Sequence, residues 1–334
     1  MGEITQQMFG LLKKHTFSIG VDICDDSLRL VQLGNNGKGL HLIDGTAEPI
    51  PGDIEFGSSI WQKWAIETIH KQISNNNFQG KEVIAGIPTN SVFIDHFKMP
   101  KVNKGKIEDA LFSKIKQKLP FEPVQENTML KCVQTDQENV VVMATERTII
   151  DRHLAIYEKA GTTIKSISVW PIALVNCYTT FFGRRKSDLE TIVMLICIEA
   201  NYTNVVICRH KNLLFAHSIP IGARQFIDET EINRLVFELT SCKRQFSAIH
   251  KNSQIDRLIF LSSRATDRNV CATIAKQMEM PAQIGDCLAA VEIASSFRLE
   301  RVFELEKEKV NPGNTVDRRN CQVNWAVAFG MCLS

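Results

Sequence analysis

The 334-residue chain lacks a run of the roughly 18–20 apolar residues that a membrane-spanning helix needs, and none of its ten cysteines forms a C-x-x-C pair. The eight histidines do not combine with cysteines at zinc-finger spacing either. These absences argue against a membrane-spanning protein, a zinc ribbon and a disulfide scaffold. Most cysteines lie inside apolar runs, which predicts buried, reduced thiols; examples are Cys197, Cys208, Cys271 and Cys332.

A net charge of +2 supplies no specific argument for a nucleic-acid surface, and we expect no nucleic-acid partner. The first residues, "MGEITQQMFGLLKKHT", are too polar for a secretory signal, so we expect a cytoplasmic protein. Within them, residues 8–14 are typical either of a frayed terminus or of a short amphipathic turn.

The stretch from Phe17 to Ile43 predicts three short strands joined by two turns. The first turn lies in "DICDDS", which carries the carboxylates Asp22, Asp25 and Asp26. The second, "GNNGKG", has the Asn and Gly residues that accept positive φ in hairpins.

Residues 191–222 repeat this pattern of strand, polar turn, strand, polar turn and strand. Ile196-Cys197-Ile198 falls where Val21-Asp22-Ile23 falls, and "RHKN" begins 12 residues after Cys197, as "NNGK" begins 13 after Asp22. An internal repeat of a three-stranded meander predicts two related lobes.

Helical spacing of apolar residues predicts helices over 59–74, 231–251 and 266–279, with a strand over 255–263 between the last two. Between the two meanders, residues 91–163 alternate strands and helices as a self-contained small α/β unit. Residues 295–318 are highly charged and predict an exposed loop or surface helix, and the chain closes on an apolar helix.

Duplicated lobes that each begin with such a hairpin are typical of the superfamily of actin, Hsp70 and hexokinase. Within it, the sequence resembles the PilM family of type IV pilus assembly proteins, which are related to the cell-division protein FtsA. The likeness spans nearly the whole chain in order, through "MFGLLKK", "IGVDICDDSLRLVQL", "VIAGIPTNSVFIDHFKMP", "KIKQKLPFEPVQENTM", "VVVMATERTIIDRHLAIYEKAGTTIKSISVWPIALV", "LLFAHSIPIGARQF" and "WAVAFGMCL".

The resemblance implies an α/β, actin/Hsp70-like (ribonuclease H-like) two-lobed fold with an FtsA-type inserted subdomain 1C. The implied ranges are 1–15 for an N-terminal segment, 16–90 plus 164–190 for subdomain 1A, 91–163 for 1C, 191–224 plus 285–334 for 2A, and 225–284 for 2B.

The resemblance also implies a site for ATP and Mg²⁺, in which backbone N–H groups of the two hairpins hold the phosphates and an Asp in each holds the metal. In the first hairpin Asp22 matches the nucleotide and metal position, and Cys24, Ser27 and Arg29 fit the pattern. The two residues after Cys24, usually Ser or Thr in the family, are Asp25 and Asp26. At an effective dielectric constant of about 20, like charges about 4 Å apart repel by roughly 4 kcal/mol.

The second hairpin departs further from the family pattern. Cys197 occupies the position of the second Asp, and Glu199 occupies that of a glycine. The remaining matching candidates are Asn201, Thr203 and Gly222, and the adenosine turn, usually Gly-Gly, is Ser262-Ser263. Departures at three places predict a degenerate nucleotide site and a protein that is not an enzyme.

The implied function is a scaffold at the inner face of the cytoplasmic membrane, which binds the N-terminal tail of a PilN-like membrane protein and reaches the membrane through this and other pilus platform proteins. One alternative is a functional actin-like ATP-binding protein whose nucleotide state gates partner binding. Others are an FtsA-like cell-division protein or the cytoplasmic part of a type II secretion component. The FtsA-like protein needs a C-terminal amphipathic membrane helix, and the type II secretion component needs a following transmembrane span. We expect neither in a chain that stops at "AFGMCLS".

Overall fold

The computed structural model describes residues 15–261, 268–293 and 323–334. Its strands, in chain order, are β1 His15–Thr16, β2 Ile19–Ile23, β3 Ser27–Asn35, β4 Leu40–Pro49, β5 Glu82–Ile87, β6 Phe93–Lys98, β7 Thr128–Gln134, β8 Asn139–Glu146, β9 Thr163–Val169, β10 Ile192–Ile198, β11 Thr203–Arg209, β12 Asn212–Ile219, β13 Arg257–Leu261, β14 Ala282–Gly285 and β15 Glu292–Ile293. The segments 8–14 and 295–318, for which the sequence made predictions, lie outside the described residues.

The helices lie where apolar spacing predicts them, with small shifts at their ends. They are α1 Ser59–Asn75, α2 Ile107–Ile115, α3 Arg147–Lys159, α4 Trp170–Phe181, α5 Glu229–Ile249, α6 Arg268–Gln277 and α7 Ala326–Cys332. Local capping fixes two of the starts, because the Ser58 side chain accepts a hydrogen bond from the Trp61 N–H and the Asp228 side chain accepts one from the Thr230 N–H. No helix among the described residues has the length and apolarity to cross a bilayer.

Two meander-containing sheets form the two lobes. In the first sheet the strand order is β15-β4-β3-β2-β5-β9, with β1 on β3, and in the second it is β12-β11-β10-β13-β14. In each sheet an antiparallel three-stranded meander continues into parallel strands, at β2-β5 and at β10-β13. The internal repeat predicted from the sequence is therefore present as two similar sheets.

The third sheet, of order β6-β8-β7, belongs to the segment inserted between β5 and α3. Helix α2 packs on one of its faces, and Leu111 and Ile115 are buried there with Val140, Val142 and Ala144. Helix α3 instead packs against α1, so that Ile156 and Tyr157 join the core of the first lobe.

Helices α4 and α7 share one core with both larger sheets. Helix α7 packs on β2, β3 and β5 of the first sheet, and α4 contacts β11 and β12 of the second. The two helices cross closely, since a Cβ atom on Gly330 would lie 1.9 Å from the Ala173 carbonyl oxygen. The C-terminal helix thus ties the end of the chain to the first lobe. The subdomain ranges given above remain a prediction.

Candidate functional site

The two hairpin turns that the sequence singled out face each other across the lobes. The register pairs Asp22 with Arg29 in the first hairpin and Cys197 with Asn204 in the second, so Asp22 and Cys197 occupy equivalent positions. At the tips of the turns the Asn201 side-chain amide donates a hydrogen bond to the Asp25 carboxylate over 2.6 Å. The tips therefore touch, and the space between the hairpins lies behind this contact.

Arg29 occupies the space between the two hairpins and is only 3% exposed. Its Nη1 lies 3.5 Å from Asp22 Oδ2 on its own hairpin and 2.9 Å from Glu199 Oε2 on the opposite one. The same nitrogen donates a hydrogen bond to the Asn324 carbonyl oxygen over 2.8 Å. One guanidinium group thus joins the first hairpin, the second hairpin and the segment that leads into α7.

The other nitrogens of Arg29 hold the first turn. Nη2 lies 3.3 Å from Asp26 Oδ1, and Nε donates to Ser27 Oγ over 3.1 Å. The Ser27 hydroxyl in turn donates to Asp26 Oδ1 over 2.8 Å. Asp26 and Ser27 are therefore both engaged within the turn.

Asn324 is the residue of this site that the sequence did not reveal. Its amide nitrogen donates to the Ile198 and Leu261 carbonyl oxygens over 3.3 and 3.2 Å, and its Oδ1 accepts from the Ala326 N–H. An Asn placed just before an apolar helix is a capping signal that sequence reading could have used. Its contact with Arg29 joins residues 295 positions apart, which no local pattern predicts.

Burial raises the pKa values of two acidic groups beside Arg29, Glu199 and Asp22. It raises the pKa of Glu199 to about 8, although Arg29 beside it acts in the opposite direction. Burial also raises the pKa of Asp22, with Arg29 and the Cys24 thiol lowering it in part. The thiol pKa values of Cys24 and Cys197 lie well above the ordinary value for the same reason, so both thiols are neutral at physiological pH.

The remaining candidates of the second hairpin lie beside the turn and hold its shape. The Thr203 hydroxyl donates to the Ile221 carbonyl oxygen over 2.7 Å. Gly222 sits against the turn, where an added Cβ would lie 2.5 Å from the Ala200 oxygen and from the Tyr202 nitrogen. Ser262 and Ser263, predicted at the adenosine turn, lie outside the described residues.

Two backbone N–H groups of the turns and the carboxyl group of Asp22 are engaged within the protein. The Cys24 N–H donates to the Ser27 carbonyl oxygen over 2.9 Å, and the Glu199 N–H donates to the Tyr202 carbonyl oxygen over 2.8 Å. Asp22, the predicted metal ligand, accepts from the Cys24 thiol over 3.1 Å and faces Arg29. In the part of the chain that the structure describes, no group of three or more His, Cys, Asp or Glu side chains could hold a metal ion.

A separate cleft of about 690 Å³ lies between the inserted sheet and the end of α5. Across it, His250 Nδ1 lies 2.9 Å from Asp136 Oδ2, and Lys98 Nζ lies 2.8 Å from Glu138 Oε2 on the inserted sheet. His96 lines the same cleft and stacks on Phe215 of β12. The inserted unit therefore contacts the second lobe as well as the first.

Comparisons with known proteins agree with this architecture. A sequence profile of the family described as type IV pilus assembly protein PilM matches residues 20–241. Among solved structures, a PilM–PilN type IV pilus biogenesis complex is similar over 95% of this chain and 97% of that chain, with a TM-score of 0.71 and 16% identity. A Bacteroides thetaiotaomicron protein with an actin-like ATPase fold and unknown function is similar over 83% of this chain and 92% of that chain, with a TM-score of 0.50 and 9% identity. The predicted actin-like fold is confirmed, and the FtsA-type nature of the insertion stays a prediction.

Proposed function

Because this chain belongs to the PilM family of type IV pilus assembly proteins, we propose that it is a non-enzymatic scaffold of a type IV pilus or related inner-membrane platform. The profile match over 20–241 carries this proposal, since it includes the first lobe, the inserted unit and the second hairpin. In this role the protein works at the cytoplasmic face of the inner membrane and is held there by its partners.

The proposed partner is the extended N-terminal tail of a PilN-like membrane protein. A similar structure is that of a PilM–PilN complex, and extended tails commonly bind by adding a strand to an exposed sheet edge. Among the strands that the structure describes, β9 supplies such an edge in the first sheet, because it pairs with β5 on one side, and its Ile167 side chain is 37% exposed. We propose this edge, beside the inserted unit, as the place where the tail docks.

The nucleotide site of this scaffold is degenerate, and the residues between its hairpins do not fit a Mg²⁺–phosphate group. Phosphates need free backbone N–H groups, whereas the Cys24 and Glu199 N–H groups are used within their own turns. A phosphate would also meet the carboxyl groups of Asp22, Asp26 and Glu199, which contact Arg29. Asp22 keeps the family position but faces that cation instead of a metal.

Calorimetric titration with synthetic N-terminal tails of the PilN-type proteins encoded by the source organism tests the scaffold. We expect one tail to bind with a dissociation constant on the order of micromolar, and its scrambled version not to bind. The variant Ile167→Glu should weaken this binding about tenfold or more, because it places a charge on the docking edge. Ile284→Glu is the matched control, since Ile284 is 41% exposed on β14, at the edge of the second sheet. Failure of every encoded tail to bind would overturn the scaffold proposal.

Thermal unfolding with and without Mg-ATP separates the scaffold from the alternative of a functional ATP-binding protein. Ligand that binds only the folded state raises the melting temperature, so we expect Mg-ATP to leave it unchanged. A clear rise at millimolar Mg-ATP favours the alternative, in which nucleotide state gates partner binding.

A further inference from the structure

The link between the two lobes at the hairpins is made by a side chain of the protein itself. In a nucleotide-dependent relative of this fold, the phosphates would lie between the two turns and contact both. Here the Arg29 guanidinium lies between the turns and contacts Asp22 and Asp26 on one side and Glu199 on the other. We infer that Arg29 takes the place of a bound nucleotide as the cross-lobe link, so that the two hairpin turns are held together without a ligand. This inference rests on the proposed degenerate nucleotide site.

The contacts of Arg29 distinguish a cross-lobe link from an ordinary ion pair within one hairpin. Asp22 lies directly across from it in the β2–β3 register and would suffice as a local partner. Glu199, at 2.9 Å, is nearer to Nη1 than Asp22 is, at 3.5 Å, and it belongs to the second lobe. Asn324 then connects Arg29 to the carbonyl oxygens of Ile198 and Leu261 in the second sheet.

The burial of these groups makes the link strong enough to matter. Arg29 and Glu199 are each 3% exposed, so the pair is hardly screened by water or salt. A buried arginine that loses one of its partners is left less compensated in a medium of low polarity. Separating the lobes at the hairpins therefore has to break this pair together with the Asn201–Asp25 contact at the tips.

Hydrogen–deuterium exchange of the full-length protein tests the inference, read at the amides of residues 24–27 and 199–203. The variant Arg29→Lys keeps the charge but loses the planar fork that reaches both hairpins. We expect exchange at both turns to become about tenfold faster or more, while the inserted β6–β8 strands stay unchanged. The matched control is Arg257→Lys. Arg257 Nη2 pairs with the buried Asp188 at a distance of 2.7 Å, and this pair does not involve either turn.

A second variant covers the case in which Arg29→Lys does not fold. Arg29→Met combined with Glu199→Gln removes the guanidinium group and replaces the Glu199 carboxyl group by a neutral amide of similar shape, so the pair across the lobes cannot form. The double variant should fold and still show faster exchange at both turns. If exchange at both turns is unchanged in the folded variants, the link is overturned. The degenerate site still stands in that case, provided that Mg-ATP does not alter the exchange of the wild type. Protection of the wild-type turns by Mg-ATP overturns both the link and the degenerate site.

Discussion

At the scale of single residues, Glu199 connects the site to pH. Burial raises its pKa from the ordinary 4.5 to about 8 in the folded protein, so the folded state holds a proton that the unfolded chain releases between these values. Its contribution to stability is therefore complete below about pH 4.5 and is lost as the pH rises towards 8. Glu199→Gln keeps the shape of the neutral acid and lacks this dependence.

Urea unfolding of the wild type and Glu199→Gln across pH 5 to 9 measures the effect, because the other titrating groups are common to both proteins. We expect the free energy of unfolding of the wild type to fall relative to the variant by about 1 kcal/mol or more as the pH rises. Parallel curves for the two proteins would show that Glu199 is ionised throughout.

Gly222 gives a second prediction at this scale, because it must lie against the second turn. A Cβ atom there would lie 2.5 Å from backbone atoms of Ala200 and Tyr202, which cannot move without shifting the turn. Gly222→Ala should lower the free energy of unfolding by about 2 kcal/mol or more in urea titrations. Gly52→Ala, where an added Cβ meets nothing within 4 Å, serves as the control and should change it little. Equal effects of the two changes would contradict this packing.

The sequence located the residues of the candidate site better than it described their partners. Asp22, Ser27, Arg29 and Asn201 do lie at the two turns, because the repeat placed both hairpins correctly. The sequence could not show that Arg29 turns to Glu199, since that contact depends on how the lobes meet. Asn324 was missed for the same reason.

At the scale of elements, local signals predicted where helices and strands lie but not which neighbours they choose. Helix α1 begins at Ser59 as predicted, and α2 ends at Ile115, followed by a turn in which the Lys118 N–H donates to the Ile115 oxygen. Apolar periodicity could not tell that α3 packs on α1 or that α7 packs on the first sheet. These choices depend on which apolar faces meet once several elements have formed.

His96 tests how the inserted sheet is attached to the second lobe. Its ring stacks on Phe215 with the centroids 4.3 Å apart, and its Nε2 accepts a hydrogen bond from the Ala216 N–H over 3.2 Å. His96→Phe keeps the stacking and loses the acceptor, which should cost about 1–3 kcal/mol of unfolding free energy because a buried N–H is left unpaired. His96→Ala loses both contacts and should cost more, and equal losses would mean that the stacking contributes nothing.

The same residue predicts an acid-sensitive junction. Burial lowers the pKa of His96 from 6.5 to about 4, with Asp95 opposing this and His217 and His250 adding to it. Its stabilising contribution is therefore present above about pH 6.5 and is lost as the pH falls through 4. Wild-type stability, compared with that of His96→Phe, should decrease from pH 7 to pH 4 in urea titrations, and a constant difference would contradict the assignment.

At the scale of the whole molecule, the hairpin link formed by Arg29 does not depend on the inserted unit. Phe93 and Ala144 are paired neighbours in the inserted sheet, so a short Gly-Ser linker can replace residues 93–146 without stretching the chain. The Arg29 contacts involve no residue of that segment. We therefore expect the shortened protein to keep slow exchange at both turns, although it loses the His96–Phe215 contact and some stability.

If the tail docks beside the inserted unit, its affinity in calorimetry should drop about tenfold or more, beyond the loss seen with His96→Ala, which only weakens the junction. Undiminished tail binding would move the docking site to the lobes, whereas fast exchange at both turns would show that closure depends on the inserted unit as well as on Arg29.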